Sequence, residues 1–174
     1  MRVSDIDLGL VTASLVVSPS GDHVGSDGTS KTLGGQADLE WFIGLRNRVE
    51  VILTSGKTYR DENYKPPKKA RLAVFSAKHG STDLLDGAVP IGPNQARDYE
   101  GAVQYLLTEG YSSIHCEFGP KGFIALARAG FVECYLSCET TAGIRAFSER
   151  HSLDYTIAAD EELVIARMGS VAVL

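Results

Sequence analysis

The stretch Glu50–Tyr64, EVILTSGKTYRDENY, contains a short apolar run that ends abruptly in small and basic residues. The run Glu50–Leu53 is typical of a buried β-strand, and Ser55–Thr58 (SGKT) and Arg60 follow it closely. In open α/β sheets, ligands bind beyond the carboxyl ends of the strands. Gly-containing turns at such ends present backbone N–H groups to anions. The stretch therefore predicts a sheet strand whose end binds an anion.

On both sides of this stretch, apolar periodicity predicts alternating strands and helices. Strands are expected at Leu8–Val17, Arg71–Ser76, Ser113–Glu117, Phe131–Cys138 and Leu163–Met168, and helices over Gln36–Val49, over Asp98–Thr108 and from Pro120 onward. The pattern of residues 143–158 leaves the structure of that segment open. The order predicts an α/β fold with a mostly parallel central sheet flanked by helices and antiparallel strands at its C-terminal part. We expect one domain over residues 1–174.

Composition limits the class of protein. The chain has 174 residues, 44% hydrophobic and 22% charged, which is typical of a soluble globular domain. A formal net charge of -5 argues against a nucleic-acid-binding protein. No apolar run approaches the ~20 residues of a membrane span. Three cysteines without a CxxC pair favour buried thiols in a reducing compartment, so we expect a cytoplasmic protein without membrane partners.

Basic residues are concentrated after the second predicted strand. Between Lys57 and Arg71 there are six basic and two acidic side chains, which gives a local charge of +4 in a chain of net charge -5. Guanidinium and ammonium groups match phosphate oxygens well. The segment is either a solvated loop or a site for a phosphorylated ligand.

A second strand end has a similar character. Glu117-Phe118-Gly119-Pro120 closes a strand, and Pro120 occupies a favoured first position of a helix. The N–H groups of that first turn attract negative charge, although a Gly-Pro pair can also be only a turn. Two such turns in one sheet favour a ligand with more than one phosphate, such as a dinucleotide.

The segment 18–35, SPSGDHVGSDGTSKTLGG, is rich in Gly and Ser and is long enough to cover a bound ligand. Its titratable members are Asp22, His23 and Asp27. One of these is a candidate catalytic acid, although loops also carry such residues for solubility, and a flexible linker is the alternative interpretation of the segment.

Several common catalytic signatures do not occur. A nucleotide-hydrolase phosphate loop needs Gly five positions before Gly56, where this chain has Val51. The four histidines have no metal-ligand spacing, so no metal is expected, and there is neither a GxSxG nor a GxGxxG motif. Cys116 is expected to be a buried structural thiol. A bound cofactor that supplies the chemistry fits these observations best.

Taken together, the motifs resemble the C-terminal reductase domain of the riboflavin-biosynthesis deaminase–reductase family, and we expect this domain to stand alone. The family's Ser-x-Asp-Gly, Gly-Ala-Gly-Thr-x-Arg, Glu-Gly-Gly-Pro and Ala-Gly-Leu-Val-Asp-Glu motifs are matched in order by Ser18–Gly21, Ser55–Arg60, Glu117–Pro120 and Ala129–Glu133. Further matches are Asp27-Gly28, Ser30, Gly34-Gly35, Asp38, Leu45-Arg46 and Arg71–Ser76.

The resemblance implies a dihydrofolate-reductase-like fold and an NADPH-dependent reduction of a pyrimidine or pterin-like substrate by hydride transfer to a C=N bond. It implies that NADPH is bound by Thr54, Ser55, Gly56, Lys57, Thr58, Arg60, Ser76, Phe118, Gly119 and Pro120. The same resemblance places substrate near Ser18, Ser20 and Asp27, and makes Asp22 and Glu117 candidate proton donors. Reductases of this family commonly pair through C-terminal strands, so a homodimer through Val171–Leu174 is expected.

Four positions depart from the family pattern. Ser20 stands where the family has Asp, unless Asp22 takes that place, and Ser55, Lys57 and Phe118 stand where it has Gly. Each of the last three adds a side chain where the cofactor should approach the backbone. An alternative function is therefore a catalytically silent nucleotide-binding module on the same fold.

Overall fold

The structure is a computed structural model that describes residues 1–78 and 83–169. Its strands are β1 (Val11–Val16), β2 (Val51–Ser55), β3 (Arg71–Phe75), β4 (Val89–Ile91), β5 (Ile114–Glu117), β6 (Glu133–Cys138), β7 (Tyr155–Asp160) and β8 (Val164–Met168). Its α-helices are α1 (Gly35–Asn47), α2 (Gly56–Asp61), α3 (Tyr99–Thr108), α4 (Pro120–Ala129) and α5 (Thr141–His151). The expected dimer edge, Val171–Leu174, lies outside the described residues.

The described strands form one sheet in the order β4-β3-β2-β5-β1-β6-β8-β7. The pairs from β4 to β6 are parallel, and β8 runs antiparallel to both β6 and β7. This arrangement confirms the predicted α/β fold with antiparallel C-terminal strands. The carboxyl ends of β3, β2, β5, β1 and β6 consequently meet at one edge of the sheet.

The two faces of the sheet are covered differently. Helices α3, α4 and α5 contribute Leu106, Leu126 and Phe147 to one large apolar cluster. The opposite face has two smaller clusters, one around Trp41 and Leu45 of α1 and one on β2 and β3. Polar side chains of β1 and β5 lie between them: Thr12, Ser14, His115 and Glu117. The centre of this second face, the α1 face, is therefore polar.

Some elements differ from the sequence prediction. Helix α2 begins directly at Gly56, where a turn was expected, because the Ser55 side chain caps it. The short edge strand β4, which contains Pro90, was not predicted, and Pro is tolerated at a sheet edge. The open segment 143–158 contains most of α5 and the start of β7. In the described part of the chain, no helix has the length and apolar character that crossing a bilayer requires.

Candidate functional site

The turns that follow β2 and β5 are joined to each other at the carboxyl edge of the sheet. Thr54 Oγ1 donates a hydrogen bond to the Glu117 carbonyl at 2.8 Å, and Thr58 Oγ1 donates to the Phe118 carbonyl at 2.9 Å. The strands themselves pair in parallel, with Thr54 opposite Glu117. The two strand ends that the sequence singled out therefore form one continuous surface, the joined turns.

In the first of the joined turns, Gly56 permits close approach of its neighbours. A Cβ at Gly56 would lie 3.2 Å from an Arg60 guanidinium nitrogen and 3.7 Å from Ser76 Cβ. Ser55 accepts a hydrogen bond from the Thr58 amide at 3.2 Å and so replaces a family Gly with a helix cap. Three of the expected cofactor residues, Gly56, Arg60 and Ser76, are thus brought together beside the cap.

The second of the joined turns leaves the start of α4 without a side-chain cap. Gly119 has φ 78° and ψ -173°, a conformation that is essentially restricted to Gly. Pro120 follows at the first helical position, and within residues 1–78 and 83–169 no side-chain cap bonds to the start of this helix. By contrast, side chains of Asp98 and Thr140 cap α3 and α5. The positive end of the α4 dipole is therefore free to bind an anion.

The ring of Phe118 faces the core and not the ligand side of this turn. Phe118 is only 4% exposed, and its ring lies 4.8 Å from Tyr99 and 6.4 Å from Phe75, measured between centroids. A Cβ at Gly122 would lie 2.3 Å from Phe118 Cβ, so Gly122 makes room for the ring. The Phe118 carbonyl, which binds Thr58, is the part of this residue that belongs to the joined turns.

Glu117 is the buried centre of an ion pair on the α1 face. Arg46 of α1 donates to both of its carboxylate oxygens at 2.7 Å, and the Tyr64 hydroxyl donates to Oε2. Burial, followed by the Glu117 charge, raises the pKa of Tyr64. The Arg46 guanidinium also lies 4.3 Å above the Phe42 ring. Arg46 belonged to the matched motifs, but nothing local in the sequence showed that Arg46 and Tyr64 meet Glu117.

His115 is a second buried polar group on this face. Its Nδ1 hydrogen-bonds with Thr12 Oγ1 at 2.8 Å, and its Nε2 with Ser14 Oγ at 3.0 Å. Glu117 Oε1 lies 4.0 Å from Nε2. Burial lowers the pKa of His115 to about 4, so the ring is neutral near pH 7. Thr12, Ser14 and His115 carry no motif that indicates a role from the sequence alone.

The loop between β1 and α1 is fastened to two helices. Asp22 accepts from Arg150 of α5 at 3.1 Å and from the Ser20 hydroxyl at 2.8 Å, while Ser18 Oγ accepts from the Asp22 amide at 3.1 Å. Ser30 donates its amide and hydroxyl to Glu62, next to α2. The loop therefore connects the α5 and α2 sides of the strand-end edge.

The acidic groups of this loop are held in their charged form. The Ser20 hydrogen bond and then the Arg150 hydrogen bond lower the pKa of Asp22. The amide and hydroxyl of Thr29 lower the pKa of Asp27 in the same way. Hydrogen bonds to a carboxylate favour its ionised form, so these two groups suit charge pairing better than proton donation.

Asp38 at the start of α1 has the opposite environment. Its Oδ1 accepts from the Ser137 hydroxyl at 2.5 Å, and burial raises its pKa. The sequence matched Asp38 only as part of a family motif, because neither its burial nor its partner on β6 can be read locally.

The basic cluster of the sequence is divided by the fold. Lys57 and Arg60 lie on α2, beside the joined turns, and Lys57 pairs with Asp61. Arg71 is opposite Val51 at the other end of β2, four residues from the Ser55 level, which is about 13 Å along a strand. Lys57 and Arg60 are therefore the members of the cluster on the helix that begins at the joined turns. Among the described residues, no group of three or more His, Cys, Asp or Glu is arranged to hold a metal.

Solved structures with the same fold are reductases and related proteins. A pyrimidine reductase-like protein from Corynebacterium diphtheriae is 15% identical, with a TM-score of 0.63, and covers 91% of this chain and 90% of that one. A riboflavin biosynthesis reductase from Saccharomyces cerevisiae is 13% identical, with a TM-score of 0.63 and coverage of 93% and 90%. A deaminase/reductase from Thermotoga maritima is 12% identical, with a TM-score of 0.63.

This chain aligns over 93% of its own length but spans only 56% of the Thermotoga maritima chain. No family model and no curated protein matches its sequence. At sequence identities this low, structural similarity with a TM-score of 0.63 establishes the fold alone. The chain therefore has the dihydrofolate-reductase-like fold of the riboflavin-pathway pyrimidine reductases, as its motifs predicted.

Proposed function

We propose that this protein is an NADPH-dependent reductase that acts on a pyrimidine of the riboflavin pathway or on a pterin-like compound. The observation that carries the proposal is the pair of joined turns, where Thr58 binds the Phe118 carbonyl beside an uncapped helix start. Cationic Arg60 lies against Gly56 in the same surface. Such an arrangement suits a ligand with several phosphates.

The residues present fit a dinucleotide. Gly119 adopts a conformation open only to Gly and leaves the first amides of α4 uncapped, as a pyrophosphate site requires. We assign the pyrophosphate to Gly119 and Pro120, and the adenosine phosphate side to Ser55, Thr58, Arg60 and Ser76, with Lys57 as a second cation. Bound there, NADPH supplies the hydride.

The chain's own residues bind, orient and shield. The loop that Asp22 and Ser30 fasten to α5 and α2 lies between the strand-end turns and solvent in this proposal and limits water access. Alignment of donor and acceptor carbons is the main contribution of such a site. Because Asp22 is held ionised and Glu117 is bonded to Arg46 and Tyr64, we assign proton delivery to solvent and a positioning role to both carboxylates.

A catalytically silent NADPH-binding module is the second candidate. It is favoured by the engagement of Glu117 in three hydrogen bonds, which leaves this expected proton donor committed to Arg46 and Tyr64. Binding without turnover would distinguish this candidate from the reductase.

The test compares thermal unfolding with NADPH, NADH, FMN and ATP, followed by NADPH oxidation with pyrimidine and pterin substrates. A ligand at 100 times its dissociation constant adds about 2.7 kcal/mol to the free energy of unfolding. We expect the largest shift with NADPH, and oxidation of NADPH with at least one substrate class. No shift with either nicotinamide cofactor would exclude both candidate functions.

Arg60→Ala tests the cofactor assignment. Removal of a guanidinium that pairs with phosphate should raise KM for NADPH about tenfold or more, and KM for NADH much less. Lys69→Ala is the matched control, because it also removes one positive charge. Lys69 comes just before the start of β3, whereas the cofactor residue Ser76 follows the end of that strand. Equal effects of Arg60→Ala on the two cofactors would contradict the assigned role.

A further inference from the structure

The centre of the sheet has a polar group of three residues where a parallel sheet is usually apolar. Thr12 and His115 are completely buried, and Ser14 is only partly buried. The ring of His115 links the two hydroxyls through hydrogen bonds of 2.8 and 3.0 Å. Strands covered on both faces usually read as continuous runs of Val, Ile and Leu. This group, the Thr12–His115–Ser14 chain, therefore needs a reason beyond core packing.

Burial of the Thr12–His115–Ser14 chain costs free energy. This cost is offset only because the three side chains form hydrogen bonds with one another. A buried imidazole or hydroxyl without a partner destabilises the fold, because no hydrogen bond offsets the loss of its contacts with water. Apolar clusters surround the Thr12–His115–Ser14 chain. One covers the opposite face of the sheet, and two flank the three residues on the α1 face. A satisfied polar group in such surroundings is rigid and fixes the direction of its outer hydroxyl. Ser14 is the member that remains partly accessible.

Ser14 lies next to the residues already placed at the site. Ala13 pairs with Cys116, so Ser14 of β1 is level with Glu117 of β5 and shares its face of the sheet. Two residues further on, Val16 pairs with Ser137, which binds Asp38. Ser14 thus lies on the sheet surface between the Glu117 and Asp38 groups, just before the loop that begins at Ser18.

We propose that Ser14 is a hydrogen-bond donor to the substrate ring and that His115 is a positioning residue that fixes the direction of the Ser14 hydroxyl. This inference rests on the proposed function. The ligand class is a planar nitrogen heterocycle with a ring carbonyl or an unprotonated ring nitrogen, as found in pyrimidines and pterins.

The direction of the hydroxyl follows from the tautomer of His115. Because the ring is neutral, one nitrogen donates and the other accepts. Nε2 faces the Glu117 carboxylate at 4.0 Å, which favours a proton on Nε2. Nε2–H then donates to Ser14 Oγ, and Thr12 donates to Nδ1. The proton of Ser14 is left for an acceptor on the ligand.

Nitrogen-15 NMR of the imidazole tests the contact without turnover. We expect the wild type to show the Nε2–H tautomer near pH 7, and diaminouracil, added as a probe with saturating NADPH, to shift the Nε2 resonance. Ser14→Ala should reduce that shift severalfold. A wild-type resonance that does not move with millimolar diaminouracil would overturn the contact.

Kinetics provides the second readout. Loss of one hydrogen bond to substrate should raise KM for the pyrimidine about tenfold in Ser14→Ala, with kcat and KM for NADPH within about twofold. Ser14→Thr keeps the hydroxyl and should restore most of the affinity. Thr12→Val is the control at the inner end of the chain; it should disturb the tautomer and produce a smaller rise in KM.

The outcomes separate this inference from the proposed function. If NADPH is never oxidised but diaminouracil shifts the His115 resonance in the wild type and not in Ser14→Ala, the reductase proposal fails and the Ser14 contact stands. If NADPH is oxidised with wild-type KM by both Ser14→Ala and Ser14→Thr, the reductase proposal stands and Ser14 has only a structural role.

Discussion

Single residues on the α1 face show how burial decides the strength of an ion pair. Glu117 is 5% exposed and Arg46 27%, whereas Lys57 and Asp61 form an i,i+4 pair that is largely in solvent. A buried charge that loses its partner keeps its desolvation penalty, while solvent screens an exposed charge. Loss of one partner is therefore expected to cost much more stability in the buried Arg46–Glu117 pair than in the exposed Lys57–Asp61 pair.

Arg46→Leu should lower the free energy of unfolding by about 3 kcal/mol, because it leaves the Glu117 carboxylate buried with the Tyr64 hydroxyl as its one hydrogen-bond donor among the described side chains. Lys57→Leu is the matched control and should change it little. Denaturation with guanidinium chloride measures both. Similar losses in the two variants would contradict a structural role for the buried pair.

The histidine of the Thr12–His115–Ser14 chain should make stability depend on pH. Burial lowers its pKa from 6.5 to about 4, so the unfolded state binds this proton more readily than the folded state. The contribution of neutral His115 to the free energy of unfolding is complete above pH 6.5 and is lost as pH falls towards 4. A lowering of the pKa to about 4 corresponds to a contribution of about 3 kcal/mol.

We expect His115→Gln to flatten this part of the stability curve, measured by urea denaturation at several pH values. His151→Gln, in a much less buried histidine of α5, should leave the steep part unchanged. A curve of the same slope in wild type and His115→Gln would show that other groups, such as His23, whose pKa burial also lowers, account for the acid sensitivity.

At the scale of elements, the sequence predicted long periodic segments well and short or nonlocal ones poorly. Helix α3 was placed within one residue and the start of α4 was placed at Pro120, because the apolar stripe of α3 and the Gly-Pro start of α4 are local signals. The three-residue β4 has too few residues to show a period. The α1 face was not predicted, since Glu117 and Arg46 are 71 residues apart and their contact depends on the sheet order.

The start of α4 provides an element-scale prediction. Gly119→Ala should cost about 2 kcal/mol of stability, because Gly119 has a conformation open essentially only to Gly, and its Cβ would lie 3.0 Å from Thr58 Oγ1. It should also weaken NADPH binding, since the amides at this turn would move. Calorimetry of binding and thermal unfolding measure the two effects.

Gly130→Ala, at the end of the same helix, is the matched control. Gly130 also has φ 78°, but a Cβ there meets no atom of the described residues within 4 Å. We expect a loss of about 1 kcal/mol from the left-handed conformation and unchanged affinity for NADPH. If both variants weaken NADPH binding equally, the α4 start is not the anion site.

For the whole molecule, the order of the motifs along the chain predicted the fold. The three-dimensional arrangement then decided which motif side chains lie beside the joined turns and which do not. The basic residues from Lys57 to Arg71 formed one cluster in the sequence and are divided between the two ends of β3 in the structure. Phe118 was expected at the ligand and has its ring in the core. A residue's chain neighbours fix its strand, whereas the paired strands and the opposing layer decide which way it faces.

The three cysteines report on opening of the whole fold. Cys116, Cys134 and Cys138 are all buried in the cluster beneath α3, α4 and α5, and burial raises the pKa of Cys116 and Cys134. An exposed thiolate attacks a disulfide reagent and displaces its thiolate leaving group, so labelling must wait for opening. Cys138 lies 3.4 Å from the Ser18 carbonyl at the base of the loop, and it should react first.

We expect no fast labelling of the native protein, one slow phase from Cys138, and a slower phase from the other two thiols that follows global unfolding. Cys138→Ser should remove the first phase alone. NADPH at 100 times its dissociation constant should slow the global phase about 100-fold, because it binds only the folded state. Labelling with a chromogenic disulfide measures the Cys138 phase, its loss in Cys138→Ser and the effect of NADPH on the global phase. A thiol that reacts within seconds, or a global phase indifferent to NADPH, would show that the cofactor does not hold this fold closed.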